Sequence, residues 1–224
     1  MVRTRDLPIH FEVDHLFVSV LKSAPEMDRL VAAGFEEGPP NVHPGQGTAC
    51  RRIFFRRSFL ELIWLEDVLE ASSPLISPTG LSARAQMVEG VSRVGIGLRP
   101  TSEKPEQLPV ETWSYRPPYL PEHMSIPVAA NSSALHEPLI FFMPWSPGLS
   151  YRDRAHPNGA EAVTEITLTI PRDIDPSPEL RWLGSSGCVG IDAGEHERVT
   201  LALDGGVEGA TICLSPEAPL CLNW

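Results

Sequence analysis

Alternating apolar and polar positions predict strands in the first third of the chain. Residues 12–20, EVDHLFVSV, are rich in β-branched and apolar side chains, which is typical of a β-strand. On such a strand His15 and Phe17 face one side, whereas Leu16 and Val18 face the other, more apolar side. We therefore expect Leu16 and Val18 to face a core, and His15 to face a more polar space.

A helix and a hairpin are predicted next. Ser23 can cap a helix, Pro25 fits its first turn, and Gly34 is placed to end it. Residues 48–56 and 59–65 are predicted as the two strands of a hairpin. The second of these strands contains Glu61, a single carboxylate among apolar neighbours. A strand, a helix and a hairpin in this order make up most of a β-α-β-β-β unit, and we interpret the first 65 residues as such a unit.

The same pattern then begins twice more. Residues 90–98 and 162–170 resemble residues 12–20, and Arg93 and Glu165 occupy the position of His15. Three similar strand starts favour repetition of a small unit. The chain thus divides into four predicted segments: a first module at 1–68, a linker at 69–89, a second and degenerate module at 90–147, and a third, partial module at 156–224.

Composition and charge exclude several function classes. The net charge of −11 disfavours a general nucleic-acid binder and a protein that docks on anionic membranes. No apolar stretch is long enough for a signal-peptide core or a membrane span, so we expect a soluble cytoplasmic protein. The 23 prolines among 224 residues are about twice the average usage. They are densest between residues 100 and 147, which makes the second module rich in loops.

The four cysteines form no CxxC pair. This spacing gives no support for a zinc knuckle or a thioredoxin-like site. Scattered cysteines in a chain without an export signal are usually reduced core residues, and we expect the same of these four.

Several short motifs together resemble a known family. They are His15 in the first strand, the segment from His43 to Ala49 (HPGQGTA), the strand Phe59-Leu60-Glu61-Leu62-Ile63, and His156-Pro157-Asn158-Gly159-Ala160 before a later strand. These resemble the glyoxalase-like branch of the vicinal oxygen chelate superfamily. The resemblance implies an α+β fold of paired βαβββ modules, whose mixed sheet is curved into a cup around a cavity, within one compact domain.

The resemblance also implies a candidate site. His15 and Glu61 match the two metal-ligand positions of a first module, where they hold a divalent metal (Zn²⁺, Ni²⁺, Mn²⁺ or Fe²⁺) or act as base and acid. The second module departs from that pattern, because Arg93 cannot ligate a cation and residues 139–143 contain no acidic residue. Glu165 could complete a His15–Glu61–Glu165 set if the first and third modules face each other. A protein without metal is the alternative.

The singled-out polar residues also have structural interpretations. Glu61 could form an ion pair with an arginine, and four lie near it in sequence: Arg51, Arg52, Arg56 and Arg57. Arg93 could bind an anionic group of a ligand or form a salt bridge with Glu61. His43 and His156, each in an H-P-x-G turn, could perform acid–base chemistry or only cap those turns.

Two function hypotheses follow. The first is an enzyme of lyase, isomerase or dioxygenase type that acts on a small oxygen-rich or anionic molecule, with Arg93 orienting the substrate. The second is a metal-free protein that binds or sequesters a small ligand. Aromatic residues of the middle third, namely Trp113, Phe141 and Trp145, form the expected ligand wall in either case. Members of this superfamily often pair modules between chains, so the resemblance also allows a homodimer.

Overall fold

The computed structural model describes residues 11–101, 107–143 and 155–224. In this part of the chain, eight strands form a first sheet: β1 (Phe11–Ser19), β2 (Asn41–His43), β3 (Thr48–Phe54), β4 (Phe59–Leu65), β5 (Val94–Pro100), β6 (Thr112–Tyr115), β7 (Ile126–Ala129) and β8 (Leu139–Phe142). Five strands form a second sheet: β9 (Val163–Pro171), β10 (Gly190–Gly194), β11 (Arg198–Leu203), β12 (Thr211–Cys213) and β13 (Leu220–Asn223). The helices are α1 (Glu26–Ala32), α2 (Val68–Ala71), α3 (Leu81–Ala85) and α4 (Pro178–Ser185).

The strand order of the first sheet shows two related halves. The order is β2-β3-β4-β1-β5-β8-β7-β6, so each half runs outward from the centre in the same sequence. Within the halves, β1 pairs with β4 and β5 pairs with β8, both in parallel. The halves meet where β1 pairs antiparallel with β5. This arrangement confirms the predicted α+β fold with paired modules.

The helix predicted after the first strand is present, but its start differs from the expectation. The helix α1 begins after Pro25 without a side-chain cap, because Ser23 lies in the left-handed region at φ 70°. In the second half, the described residues between β5 and β6 contain no helix. This difference fits the predicted loop-rich character of that half.

The two faces of the first sheet have different roles. Leu16 and Val18 of β1 are at most 2% exposed and belong to the main hydrophobic core. His15 and Phe17, on the opposite face, line a cavity, as the alternation predicted. The alternation fails only at Asp14, where the register of β1 against β5 shifts between Val13 and His15. This bulge leaves Val13 packed against the main core rather than on the cavity face.

The C-terminal residues form a separate sheet that packs on the outer face of the first. Leu168 of β9 and Leu201 of β11 are almost fully buried and share the main core with Leu16. This third segment begins with a strand and a helix, as predicted. Its strands order as β10-β9-β11-β13-β12 and do not extend the cup.

Two of the four cysteines depart from the expectation of reduced thiols. Cys213 and Cys221, which pair across β12 and β13, are joined by a disulfide, whereas Cys50 and Cys188 are free. The sequence could not show this pair because the strand β13 was not predicted. None of the described helices has the length and apolar character needed to cross a membrane.

Candidate functional site

The concave face of the first sheet encloses a cavity of about 390 Å³. This volume lies in the range of small-molecule sites. Its polar lining residues come mostly from the first half and from the segment before β7: His15, Asn41, His43, Gln46, Arg52, Glu61, Thr79, Tyr115 and Tyr119. The rest of the wall is apolar, with Phe17, Phe54, Phe59, Ile63, Leu81, Ile126, Val128, Leu139, Phe141 and Met143. The cavity thus suits a molecule with an apolar body and polar groups on one side.

His15 is held by a buried carboxylate at the cavity wall. Its Nδ1 lies 2.8 Å from Oδ2 of Asp14, whose side chain is fully buried. The ring stacks on Phe59 at 4.5 Å between centroids and meets Phe141 edge-on. Because a carboxylate accepts the Nδ1 proton, the lone pair of Nε2 remains available to a ligand. This is the arrangement of an oriented histidine base.

Asp14 is held in turn by a buried arginine. Nη1 of Arg99 lies 3.1 Å from Oδ1 of Asp14, and neither side chain is exposed to solvent. Arg99 also donates through Nε to Glu12 at 2.8 Å and through Nη2 to the carbonyl of Arg57 at 2.6 Å. These contacts offset the charge of Asp14 and favour its ionised form, so it remains an acceptor for His15.

Glu61 lies on the neighbouring strand and faces the same cavity. It pairs in register with Phe17 of β1 and Arg52 of β3, and it is only 6% exposed. Its Oε1 accepts from the Cys50 thiol at 3.4 Å. Burial and the Glu61 charge raise the pKa of that thiol far above its usual range, so the thiol stays protonated.

The arginines near Glu61 in sequence are engaged elsewhere in the described part of the chain. Arg51 forms salt bridges with Glu37 and Asp28. Arg56 and Arg57 form salt bridges with Glu161 and Glu12, respectively. Arg52 donates to the carbonyl of Pro39 and lies 5.0 Å from the Phe54 ring centroid. The ion pair considered for Glu61 with one of these residues is therefore not formed.

His43 belongs to a chain of polar groups along one wall. Its Nδ1 lies 3.0 Å from Thr48 Oγ1, and its Nε2 lies 3.0 Å from the Asn41 amide nitrogen. An amide nitrogen can only donate, so this placement assigns the proton to Nδ1 and the lone pair to Nε2. Burial lowers the pKa of His43 and favours the neutral ring, although the Glu61 charge opposes this.

Gln46 connects the two ends of the sheet across the cavity. Its Oε1 accepts from the hydroxyls of Tyr115, at 2.9 Å, and Tyr119, at 3.3 Å, while its Nε2 donates to Thr48 at 2.8 Å. Burial raises the pKa of Tyr115 well above its usual range, which keeps the hydroxyl protonated as a donor. The strands β2 and β6 lie at opposite edges of the sheet. These bonds therefore link the edges and close the cup.

The second half offers no metal ligands at the positions opposite His15 and Glu61. His15 pairs with Gly97 of β5, and Gly97 pairs with Phe141 of β8. Glycine and phenylalanine have no side-chain donor for a metal. The described residues therefore do not fit a site with ligands from both halves. They contain instead a different group, in which one ligand atom each of His43, Cys50 and Glu61 lies within 4.8 Å of the others.

The structure brings His15, Glu61 and Phe141 together but places other predicted residues elsewhere. Glu165 is an exposed residue of β9 in the second sheet, so the first and third modules do not share it. Arg93 precedes β5, and its guanidinium donates to the carbonyls of Ser19 and Glu217 instead of reaching Glu61.

Of the remaining aromatic and histidine candidates that the structure describes, one lines the cavity and the others lie elsewhere. Trp113 is half-buried beside a groove outside this cavity, where its Nε1 donates to Ser132. Trp145 lies outside the described residues. The two histidines of the H-P-x-G turns differ, because His43 lines the cavity and His156 is buried away from it with its Nδ1 accepting from the Glu36 amide.

Among the polar residues of the site that the sequence did not single out by their chemistry are Asp14, Gln46 and Arg99. A signal existed for Asp14, because a charged residue on the core face of a strand needs a partner. Arg99 lies near the end of β5, the strand that pairs with β1, and could have been chosen as that partner.

Comparison with known proteins places the chain within one family. The family model described as "Glyoxalase-like domain" matches residues 13–184. A hypothetical protein of Staphylococcus aureus has a similar solved structure, with a TM-score of 0.53 and 8% identity, over 95% of this chain and 98% of that one. A hypothetical protein of Bacillus halodurans C-125 gives a TM-score of 0.44 and 14% identity, over 63% and 99% of the two chains. No curated protein matches the sequence.

Proposed function

The chain belongs to the glyoxalase-like domain family, and we propose that it is an enzyme that moves a proton on a small molecule. The reaction class is that of a lyase or isomerase. The observation that carries the proposal is the Asp14–His15 pair, which presents an oriented imidazole to a cavity of about 390 Å³.

The base in this proposal is Nε2 of His15. It removes a proton from a carbon next to a carbonyl group, and the electron pair of the broken C–H bond moves onto the carbonyl oxygen as an enolate. Return of the proton to another carbon gives an isomer, and departure of a β-substituent gives an elimination product. Asp14 is a positioning residue, because it holds the ring and stabilises the imidazolium that forms.

Arg52 is proposed to offset the negative charge that develops on oxygen. It is the one Lys or Arg among the lining residues that the structure describes. A guanidinium stays charged at any ordinary pH and donates to an oxyanion in a planar geometry. The apolar wall, which includes Phe141 and Val128, would hold the rest of the substrate and exclude water. The substrate class is thus a carbonyl compound with an apolar or aromatic body.

The test is carbon-bound hydrogen exchange in D₂O. Pyruvate, hydroxyacetone, phenylpyruvate and 4-hydroxyphenylpyruvate serve as probes, and loss of each α-proton signal is followed by ¹H NMR. We expect the wild-type protein to speed exchange of at least one aromatic probe, and His15→Gln to lower that rate by about 100-fold or more, within the usual range for a general base. His196→Gln, at an exposed histidine, is the matched control.

The proposal is wrong if no probe exchanges faster with the wild type than with His15→Gln. Binding without chemistry is the second candidate, because the wall from the second half is apolar. That function predicts that an aromatic probe raises the melting temperature of the wild type and of His15→Gln equally, with no exchange in either.

A further inference from the structure

We propose that this cavity holds a zinc-type metal site made by His43, Cys50 and Glu61. The three residues come from adjacent strands β2, β3 and β4, and their side chains face the same way. All three ligands belong to the first half of the sheet, so the site needs no residue of the second half. The site therefore differs from the His15–Glu61–Glu165 set considered from the sequence, and it shares only Glu61 with that set.

The donor atoms already have spacings that suit tetrahedral coordination. Cys50 Sγ and Glu61 Oε1 are 3.4 Å apart, and the His43 ligand atom lies within 4.8 Å of both. With bond lengths of about 2.3 Å to sulfur and 2.0 Å to oxygen, a tetrahedral zinc holds those two atoms about 3.5 Å apart. To bind the same ion, the His43 ligand atom must move closer to the other two donor atoms, and rotation of the His43 side chain can supply this movement.

The surroundings of His43 suit a metal ligand. Its Nδ1 is fixed by Thr48, which is itself fixed by Gln46, so the ring orientation is set by a second layer of hydrogen bonds. The Nε2 lone pair points at the Asn41 amide and would exchange that contact for the cation. Thiolate, imidazole and carboxylate are the ligand types that Zn²⁺ takes in proteins.

Charge favours a cation at the same place. Glu61 is only 6% exposed, and its carboxylate accepts from a neutral thiol, that of Cys50. A buried carboxylate is costly without a positive partner. Binding of Zn²⁺ releases the Cys50 proton to solvent, and the cation is then neutralised by one thiolate and one carboxylate. His43 and Glu61 both line the cavity, so a fourth ligand to the metal would come from the cavity, which is the pattern of catalytic rather than structural zinc.

The experiment measures metal binding, so its result does not depend on the proton-transfer proposal. The protein is stripped with chelator, reconstituted with Zn²⁺, desalted and analysed for metal by mass spectrometry. Co²⁺ replaces Zn²⁺ in a parallel sample, because a thiolate ligand gives cobalt a charge-transfer absorption band in the near ultraviolet. We expect about one equivalent of Zn²⁺ and a clear thiolate band in the wild type.

The variants separate this site from the alternatives. Cys50→Ser should abolish the charge-transfer band and weaken Zn²⁺ binding at least tenfold, and His43→Gln and Glu61→Gln should weaken binding by a similar factor. Cys188→Ser, at the other free cysteine, is the matched control and should keep both properties. Circular dichroism checks that each variant is folded, and the Gln variants test the site if Cys50→Ser does not fold.

Three results would overturn the proposal. The first is less than about one-tenth of an equivalent of Zn²⁺ in the reconstituted wild type. The second is binding without a thiolate band. The third is binding that His15→Gln abolishes and Cys50→Ser leaves intact, which would assign the metal to the His15–Glu61 pair instead. Loss of proton exchange in His15→Gln with normal zinc content would leave the metal site standing.

Discussion

Removal of Arg99 alone should destabilise the protein more than removal of both Arg99 and the charge of Asp14. The two side chains are fully buried, with Nη1 and Oδ1 3.1 Å apart. Arg99→Met leaves the carboxylate of Asp14 in the interior without this cation. Asp14→Asn keeps the shape of the side chain and removes its charge.

The expected magnitudes follow from burial. Breaking one side of a buried ion pair costs about 3–5 kcal/mol, because a charge remains without its partner. Asp14→Asn should cost about 1–3 kcal/mol, since one amide hydrogen then faces the guanidinium. The contact between Arg99 and Glu12 adds little, because Glu12 is 21% exposed and also pairs with Arg57. The double variant should lose less than Arg99→Met alone, so the coupling between the two changes should exceed the loss caused by Asp14→Asn.

Guanidinium unfolding followed by tryptophan fluorescence at pH 7 measures all four proteins. For a chain of this size, the loss expected for Arg99→Met corresponds to a drop of roughly 6–20 °C in the melting temperature. The reasoning fails if Arg99→Met loses less than about 1 kcal/mol, or if the single effects add to within about 0.5 kcal/mol. Either result would mean that Arg99 does not stabilise the buried charge of Asp14.

Three further predictions concern the cavity wall and the core. Gly97→Ala places a Cβ 3.0 Å from His15 Cε1. It should lower the free energy of unfolding by about 1–3 kcal/mol and slow the exchange of the probe protons, and unchanged stability in denaturant unfolding would contradict the packing. Gln46→Leu leaves the buried Tyr115 hydroxyl without its acceptor and should lower stability by about 1–3 kcal/mol, less so when combined with Tyr115→Phe; equal losses in the two backgrounds would contradict this. Burial lowers the pKa of His156, so the folded state resists its protonation and stability should fall as pH drops below about 6.5. His156→Gln should flatten that slope in unfolding measured from pH 7.5 to 5.5, and an unchanged slope would assign it to other groups.

Local alternation predicted much of the fold because it reports directly on which face of a strand is buried. The apolar positions Leu16 and Val18 placed β1 against the core, and the same reasoning placed His15 on the opposite face, which lines the cavity. The strand β13 was missed because residues 215–219, with two prolines, hide its short apolar run.

Contacts between distant strands explain what the sequence could not show. Pairing of His43 with Thr48 and of Asn41 with Cys50 is a property of the β2–β3 register, which no local pattern contains. Arg93 seemed to match His15 only because the second strand was expected to begin at residue 90. The strand begins at Val94, so Arg93 lies before it and turns toward the carbonyls of Ser19 and Glu217.

The asymmetry of the two halves concentrates polar chemistry in the first. Gly95 and Gly97 stand where β5 would otherwise present side chains to the cavity, and a Cβ at Gly95 would lie 2.0 Å from the Phe17 ring. These glycines let Phe17 and His15 lie close against the neighbouring strand. The second half thereby contributes space and an apolar wall, while the ionisable groups gather on β1 to β4. A metal in this cavity can therefore take its protein ligands from the first half alone, because His43, Cys50 and Glu61 occupy three adjacent strands.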